Sequence, residues 1–170
     1  SLCAVHGVGP VNSLGLKLIK AVADRYLKQK IITRDVVANP NDLIEYLKQA
    51  IAHKNKELFV AVFLDAKNRV LASKLLFEGT LAQSSVYPRE VIASALEHHA
   101  AAVIFAHNHP SGDLTPSQSD IRITRELFFA LRFAGITMHE HMILSNEGHY
   151  SFAGKGFISQ YKKEFEQRDV

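Results

Sequence analysis

The sequence predicts an α/β domain, a mixed β-sheet with helices against its faces. Three observations carry that prediction. Leu58–Leu64 is an unbroken apolar run of strand length, closed by an Asp65-Ala66-Lys67-Asn68 turn. Val70–Phe77 returns from that turn as the second arm of a β-hairpin. Around them the chain reads helix, hairpin, helix, strand, helix, hairpin, and such mixing of strands with helical periods favours a sheet covered by helices.

The first element is helical. Gly7-Val8-Gly9-Pro10 breaks the chain, and Leu14, Leu18, Ala21, Val22 and Arg25 then set a helical period to about Gln29. A GxGP turn before a helix can hold phosphate on its backbone N–H groups, and this one resembles the second half of a helix-hairpin-helix DNA-binding motif. Only one helix is visible, however, and Lys17, Lys20, Arg25, Lys28 and Lys30 are spread around it. A packing helix behind a glycine turn is the favoured reading. Residues 31–40, with Thr33, Arg34, Asp35 and Pro40, read as a linker, dividing the chain into a helical segment 1–34 and a main domain 35–170. Asn39-Pro40-Asn41-Asp42 can start a second helix, with Leu43, Ile44, Leu47, Ala50 and Ile51 as its apolar face, ending near Lys54.

Glu57 sits just before the first strand. It either solvates a strand end or reaches into a site at the sheet edge, and the residues alone leave both open. After the hairpin, Gly79–Val86 is a polar loop. Pro88 then starts a helix that buries Val91, Ile92, Ala95, Leu96 and Ala100. Glu90, in its first turn, suits the positive end of the helix dipole and is a second candidate acid. His98 and His99 read as surface residues at its other end. A strand over 101–106 follows. The next helix runs from Pro116 to about Phe133, with Thr115 as N-cap, Gln118 completing a capping box and Gly135 as C-cap. Its Ile121, Ile123, Leu127, Phe128, Leu131 and Ala134 point inward. Ile136–Leu144 is a strand, Asn146-Glu147-Gly148 a turn, His149–Phe152 the return strand, and 157–168 a terminal helix.

The chemistry concentrates in residues 100–120, AAAVIFAHNHPSGDLTPSQSD. In an extended segment, residues i and i+2 face the same way, so His107 and His109 can address one ion while Asn108 points away. Pro110, Ser111, Gly112 and Asp113 turn the chain back. Ser117 and Asp120, three apart, share a helix face. Two imidazoles and a carboxylate are a normal protein complement for catalytic zinc, with the fourth position left for water. His139 and His141 form a second i, i+2 pair, read as sharing a face. No carboxylate completes a separate set beside them, which favours a supporting or surface role.

Composition bounds the alternatives. The 170 residues suit one compact domain, and 47% apolar with 22% charged residues exclude a disordered chain. A formal net charge of +3 is too small to imply nucleic-acid binding without clustering. Cys3 is the only cysteine, so neither an intramolecular disulfide nor a cysteine-based zinc site can form. No apolar run reaches membrane-spanning length and no secretory leader is visible, so a cytoplasmic protein is expected.

His107-Asn108-His109, then Ser117 and Asp120, match the JAMM pattern of JAB/MPN domains. FAHNHPSGDLTPSQSD, with LDAKNRV at 64–70 and VYPREV at 86–91, closely resembles the bacterial RadC family over about residues 35–157. The resemblance implies a JAB/MPN, cytidine-deaminase-like α/β core holding one zinc ion. His107, His109 and Asp120 match the metal ligands, and Ser117 matches the serine that bonds the reacting water or oxyanion. Glu57 matches the upstream catalytic glutamate, with Glu90 as the alternative. Asn108, Asp113, Glu140 and His141 are candidates to support the ligands by hydrogen bonds. RadC proteins usually carry Asp-His where this chain has Glu140-His141. The implied activity is peptide or isopeptide hydrolysis of an unknown peptide or protein substrate. The alternatives are a DNA-repair-associated or DNA-binding protein, as the historical RadC label suggests, and a non-catalytic MPN scaffold.

Overall fold

The computed structural model describes residues 5–7, 9–32, 35–79 and 86–167. Cys3, Val8, Thr33 and Arg34 of the linker, the 80–85 part of the polar loop, and the expected helix end at 168 lie outside the described residues.

Five strands form one mixed sheet: β1 (Leu58–Leu64), β2 (Val70–Glu78), β3 (Ala102–Asn108), β4 (Thr137–Leu144) and β5 (His149–Ser151), in the order β2-β1-β3-β4-β5. Only β3 and β4 are parallel, and the helix between them makes the crossover. The helices are α1 (Pro10–Ile31), α2 (Pro40–Leu47), α3 (Pro88–Glu97), α4 (Gln118–Phe133) and α5 (Phe157–Glu166). A π-helical turn, Lys48–Ala52, extends α2.

Strand alternation builds two cores, one on each side of the sheet. Val60, Val62 and Leu64 of β1 join Ala102, Ile104 and Ala106 of β3 beneath Leu43 and Leu47 of α2 and Ile51 of the π-turn. Phe59, Ala61 and Phe63 join Val103 and Phe105 beneath Val91 and Ala95 of α3, Leu127 and Leu131 of α4, and Tyr161 of α5. With β1 and β3 buried on both faces, their sequences show continuous apolar runs where a half-exposed strand would alternate. Phe59, Phe63 and Phe105 are fully buried, and truncating any of them to Ala would cost about 3–5 kcal/mol.

Several expectations shift. The N-cap of α4 is Ser117 rather than Thr115. Ser117 Oγ accepts the Asp120 N–H at 3.1 Å and the Asp120 carboxylate accepts the Ser117 N–H at 2.7 Å, so the capping box is Ser117–Asp120 and Pro116 lies outside the helix. Thr115 instead donates its N–H to Asp113 Oδ1. Leu96 and Ala134 are exposed, because each lies on the outer side of its helix's last turn. In α1, Leu14, Leu18 and Val22 are exposed, so its apolar period faces no element among the described residues. Gly135 adopts φ +73°, and Ile136 N–H returns to Leu131 O, the left-handed C-terminal turn that only glycine takes without strain.

The largest correction is in β4. The register slips by one residue between Val103/Ile104 on β3 and Met138/Glu140 on β4. That bulge breaks the alternation, so His139 and His141 do not share a face. His141 packs beside Phe59 and Phe105, whereas His139 Nε2 meets Asn68 Oδ1 at 2.8 Å.

Candidate metal centre

The centre lies where β3 ends and α4 begins. β1 runs antiparallel to β3, with Phe59 opposite His107, and extending that register sets Glu57 opposite His109 on the same face. The turn after His109 needs Gly112 at φ +83°, and Gly112 N–H closes it on His109 O at 3.0 Å. The chain then re-enters at α4, whose first turn carries Asp120. Glu57, His107, His109 and Asp120 thereby bring one ligand atom each within 4.8 Å of one another. His107 and Asp120 are buried, and Glu57 and His109 are half-buried. Glu90 is exposed in the first turn of α3 and is not part of this cluster.

The donor atoms fit a metal ion. His107 Nε2 lies 3.1 Å from His109 Nε2, close to the ~3.3 Å between two nitrogens on tetrahedral zinc. Asp120 Oδ1 is 3.3 Å from His107 Nε2, and Oδ2 is 3.5 Å from His109 Nε2. Ring tautomers make the fit specific. His109 Nδ1 lies 2.6 Å from the Asp113 carbonyl, which can only accept, so in the neutral ring Nδ1 carries the proton and Nε2 offers its lone pair to the cluster. Asp113 thus acts through its backbone oxygen, while its side chain holds the turn.

Asp120 is nearly fully buried, which opposes its ionisation. Its polar contacts with His107, His109 and Ser117 outweigh that and hold its carboxyl well below the usual carboxylate range. The hydrogen bond to Asp120 raises the His109 pKa against the effect of burial. Burial pushes the His141 pKa well down, so its ring is neutral. His141 Nε2 sits 2.8 Å from His107 Nδ1.

The remaining candidates are anchored to backbone. Asn108 points to the opposite face of β3 from the histidines, as alternation predicts. Its Oδ1 accepts Leu58 N–H at 2.7 Å, and its Nδ2 donates to Lys54 O and Lys56 O at 3.1 Å. These bonds clasp the chain on both sides of Glu57. Glu140 does not bond a ring. Its carboxylate accepts the N–H groups of His141 and Ala153 and the Ser151 hydroxyl, bracing the strand that carries His141. The Ser117 hydroxyl donates to Asp120 Oδ2 at 2.7 Å. Thr124 was missed in the sequence, although it lies four residues after Asp120 on the same helix face. Its hydroxyl contacts both Asp120 O and His141 Nδ1.

A family model described as the RadC-like JAB domain matches residues 37–157. The chain belongs to the RadC-like JAB family. It is 42% identical over 158 residues to a UPF0758 protein of Nitrosospira multiformis, covering 93% of this chain and 70% of that relative. It is 39% identical over 153 residues to a UPF0758 protein of Ralstonia nicotianae, covering 90% of this chain and 68% of that one. The mixed sheet flanked by helices has the JAB/MPN architecture. Among the described residues, no helix is long and apolar enough to cross a membrane.

Proposed function

We propose that this RadC-like domain is a zinc-dependent hydrolase of peptide or isopeptide bonds. The observation that carries the reading is the convergence of His107, His109 and Asp120 with Glu57 in one cluster, the His109 lone pair facing inward. His107, His109 and Asp120 would hold the ion, leaving a position for water. Zinc bound there supplies Lewis acidity toward a carbonyl oxygen and acidifies the attacking water.

The chain's own residues supply the rest. Glu57, half-buried within the cluster, takes the water's proton and returns it to the leaving amine. Ser117 is exposed at the start of α4, so its hydroxyl can meet an entering carbonyl. Asp120 Oδ2 also accepts the Ser117 backbone N–H, so the hydroxyl can turn to the oxygen where charge develops without stripping Asp120 of hydrogen bonds. The DNA-binding alternative is less well supported. Two of the lysines around α1 are spent on acids, Lys20 on Asp24 and Lys30 on Asp42.

The test is a proteome-derived peptide mixture incubated with zinc-loaded protein, chelated protein and the Glu57→Gln variant. New peptide termini with the zinc-loaded protein alone are expected. Cleavage that persists in both controls would contradict the reading.

A further inference from the structure

We propose that Thr124, acting through His141, fixes the His107 proton on Nδ1 and so presents the His107 Nε2 lone pair to the metal cluster. This rests on the metal-binding reading above, and it assigns Thr124 a positioning role in that site.

The argument follows the protons. Thr124 Oγ1 lies 2.5 Å from the Asp120 carbonyl, four residues earlier in α4. A carbonyl oxygen only accepts, so the hydroxyl proton is used there. The same Oγ1 lies 2.7 Å from His141 Nδ1, which must therefore be the donor, with its proton on Nδ1. His141 is fully buried between the rings of Phe152 and Phe59, where a charge would be costly, and a neutral imidazole carries one N–H, which leaves His141 Nε2 as an acceptor. His107 Nδ1, 2.8 Å away, donates to it. His107 Nε2 is then unprotonated, 3.1 Å from His109 Nε2. If the Thr124 hydroxyl turned instead to His141 Nδ1, every donor in the chain would reverse. His107 would then carry an N–H aimed into the cluster, blocking a metal.

Burial and packing keep the relay in one state. His107, Thr124 and His141 are each 0% exposed. The His141 ring stacks on Phe152 at 4.9 Å between centroids and 10° between planes, with Phe59 at 5.1 Å, so it cannot turn over to exchange its nitrogens. The bulge in β4 is what brings His141 to this face. Asp120 serves twice: its carboxylate belongs to the cluster and its carbonyl anchors the relay that orients His107.

The test reads tautomers and zinc affinity. In metal-free protein with 15N-labelled histidine, long-range proton–nitrogen spectra should show His107 protonated at Nδ1. Thr124→Val, isosteric but without the hydroxyl, should give mixed His107 tautomers and weaken zinc binding about 10- to 100-fold in chelator competition. Thr124→Ser should restore both. A wild-type His107 protonated at Nε2, or a Thr124→Val variant binding zinc within about twofold of wild type, would overturn the proposal. If Thr124→Val does not fold, the wild-type spectrum still decides. If wild-type protein binds no zinc while His107 reads Nδ1–H, the metal reading fails and the relay stands.

Discussion

Asn108 Oδ1 accepts the Leu58 N–H at 2.7 Å, fifty residues away in the chain. With two further bonds to Lys54 O and Lys56 O, this one side chain fastens the backbone on either side of Glu57 to the end of β3. Asn108 is fully buried, so Asn108→Ala would strand a donor and two acceptors at about 1–3 kcal/mol for each that stays unpaired. The expected loss is roughly 3 kcal/mol in denaturant unfolding. Zinc affinity should fall only a few-fold, because His107, His109 and Asp120 are held by other contacts. A zinc loss as large as that of Asp120→Ala would show that Asn108 supports the ligands and not the strand that carries Glu57.

Glu57→Gln should keep zinc and lower hydrolysis by about 10²- to 10⁴-fold, the usual range for a general base. Glu90→Gln, exposed on α3 and outside the cluster, should leave both within about twofold. Single-turnover cleavage of a peptide found in the library screen, with metal content measured on the same samples, separates them. The reverse pattern would move the catalytic acid to Glu90.

The pH dependence has a definite sign. The His109 pKa is raised, chiefly by its hydrogen bond to Asp120. In metal-free protein its stabilising share is full below about pH 6.5 and fades as pH rises through the folded value. The His141 pKa is lowered by burial, so its share is lost only on acidification below about pH 6.5. Thermal melts above about pH 6.5 should therefore show metal-free wild type losing stability relative to His109→Gln. Zinc affinity should rise over the same range, because the ion displaces the His109 proton. A zinc affinity that falls with rising pH would contradict the ligand assignment.

Much of this fold was legible because its signals are local. The continuous apolar runs of β1 and β3, the turn at 65–68, Pro88 and Gly135 each place an element within a residue or two. The His107–His109 pair and Asp120 were legible from strand alternation and helix spacing. What was hidden depends on partners distant in sequence. The bulge that separates His139 from His141 is a mismatch between β3 and β4, invisible to the alternation of β4 alone. The grip of Asn108 on Leu58 joins two strands fifty residues apart, and the meeting of Glu57 with the histidines depends on the pairing of β1 with β3. The capping box was misplaced because Thr115–Gln118 and Ser117–Asp120 both carry the spacing, and the reciprocal hydrogen bonds form at Ser117–Asp120. Thr124 carried only its i+4 spacing from Asp120, and a threonine inside a helix acquires its meaning from the ring it meets, here His141.

The measurement closest to the central claim is zinc X-ray absorption on stoichiometrically loaded protein, paired with metal analysis of Asp120→Ala. The account predicts one zinc per chain, ligated by two imidazoles and light oxygen donors, with occupancy largely lost in Asp120→Ala. A zinc shell lacking two imidazoles, or full occupancy in Asp120→Ala, would contradict it.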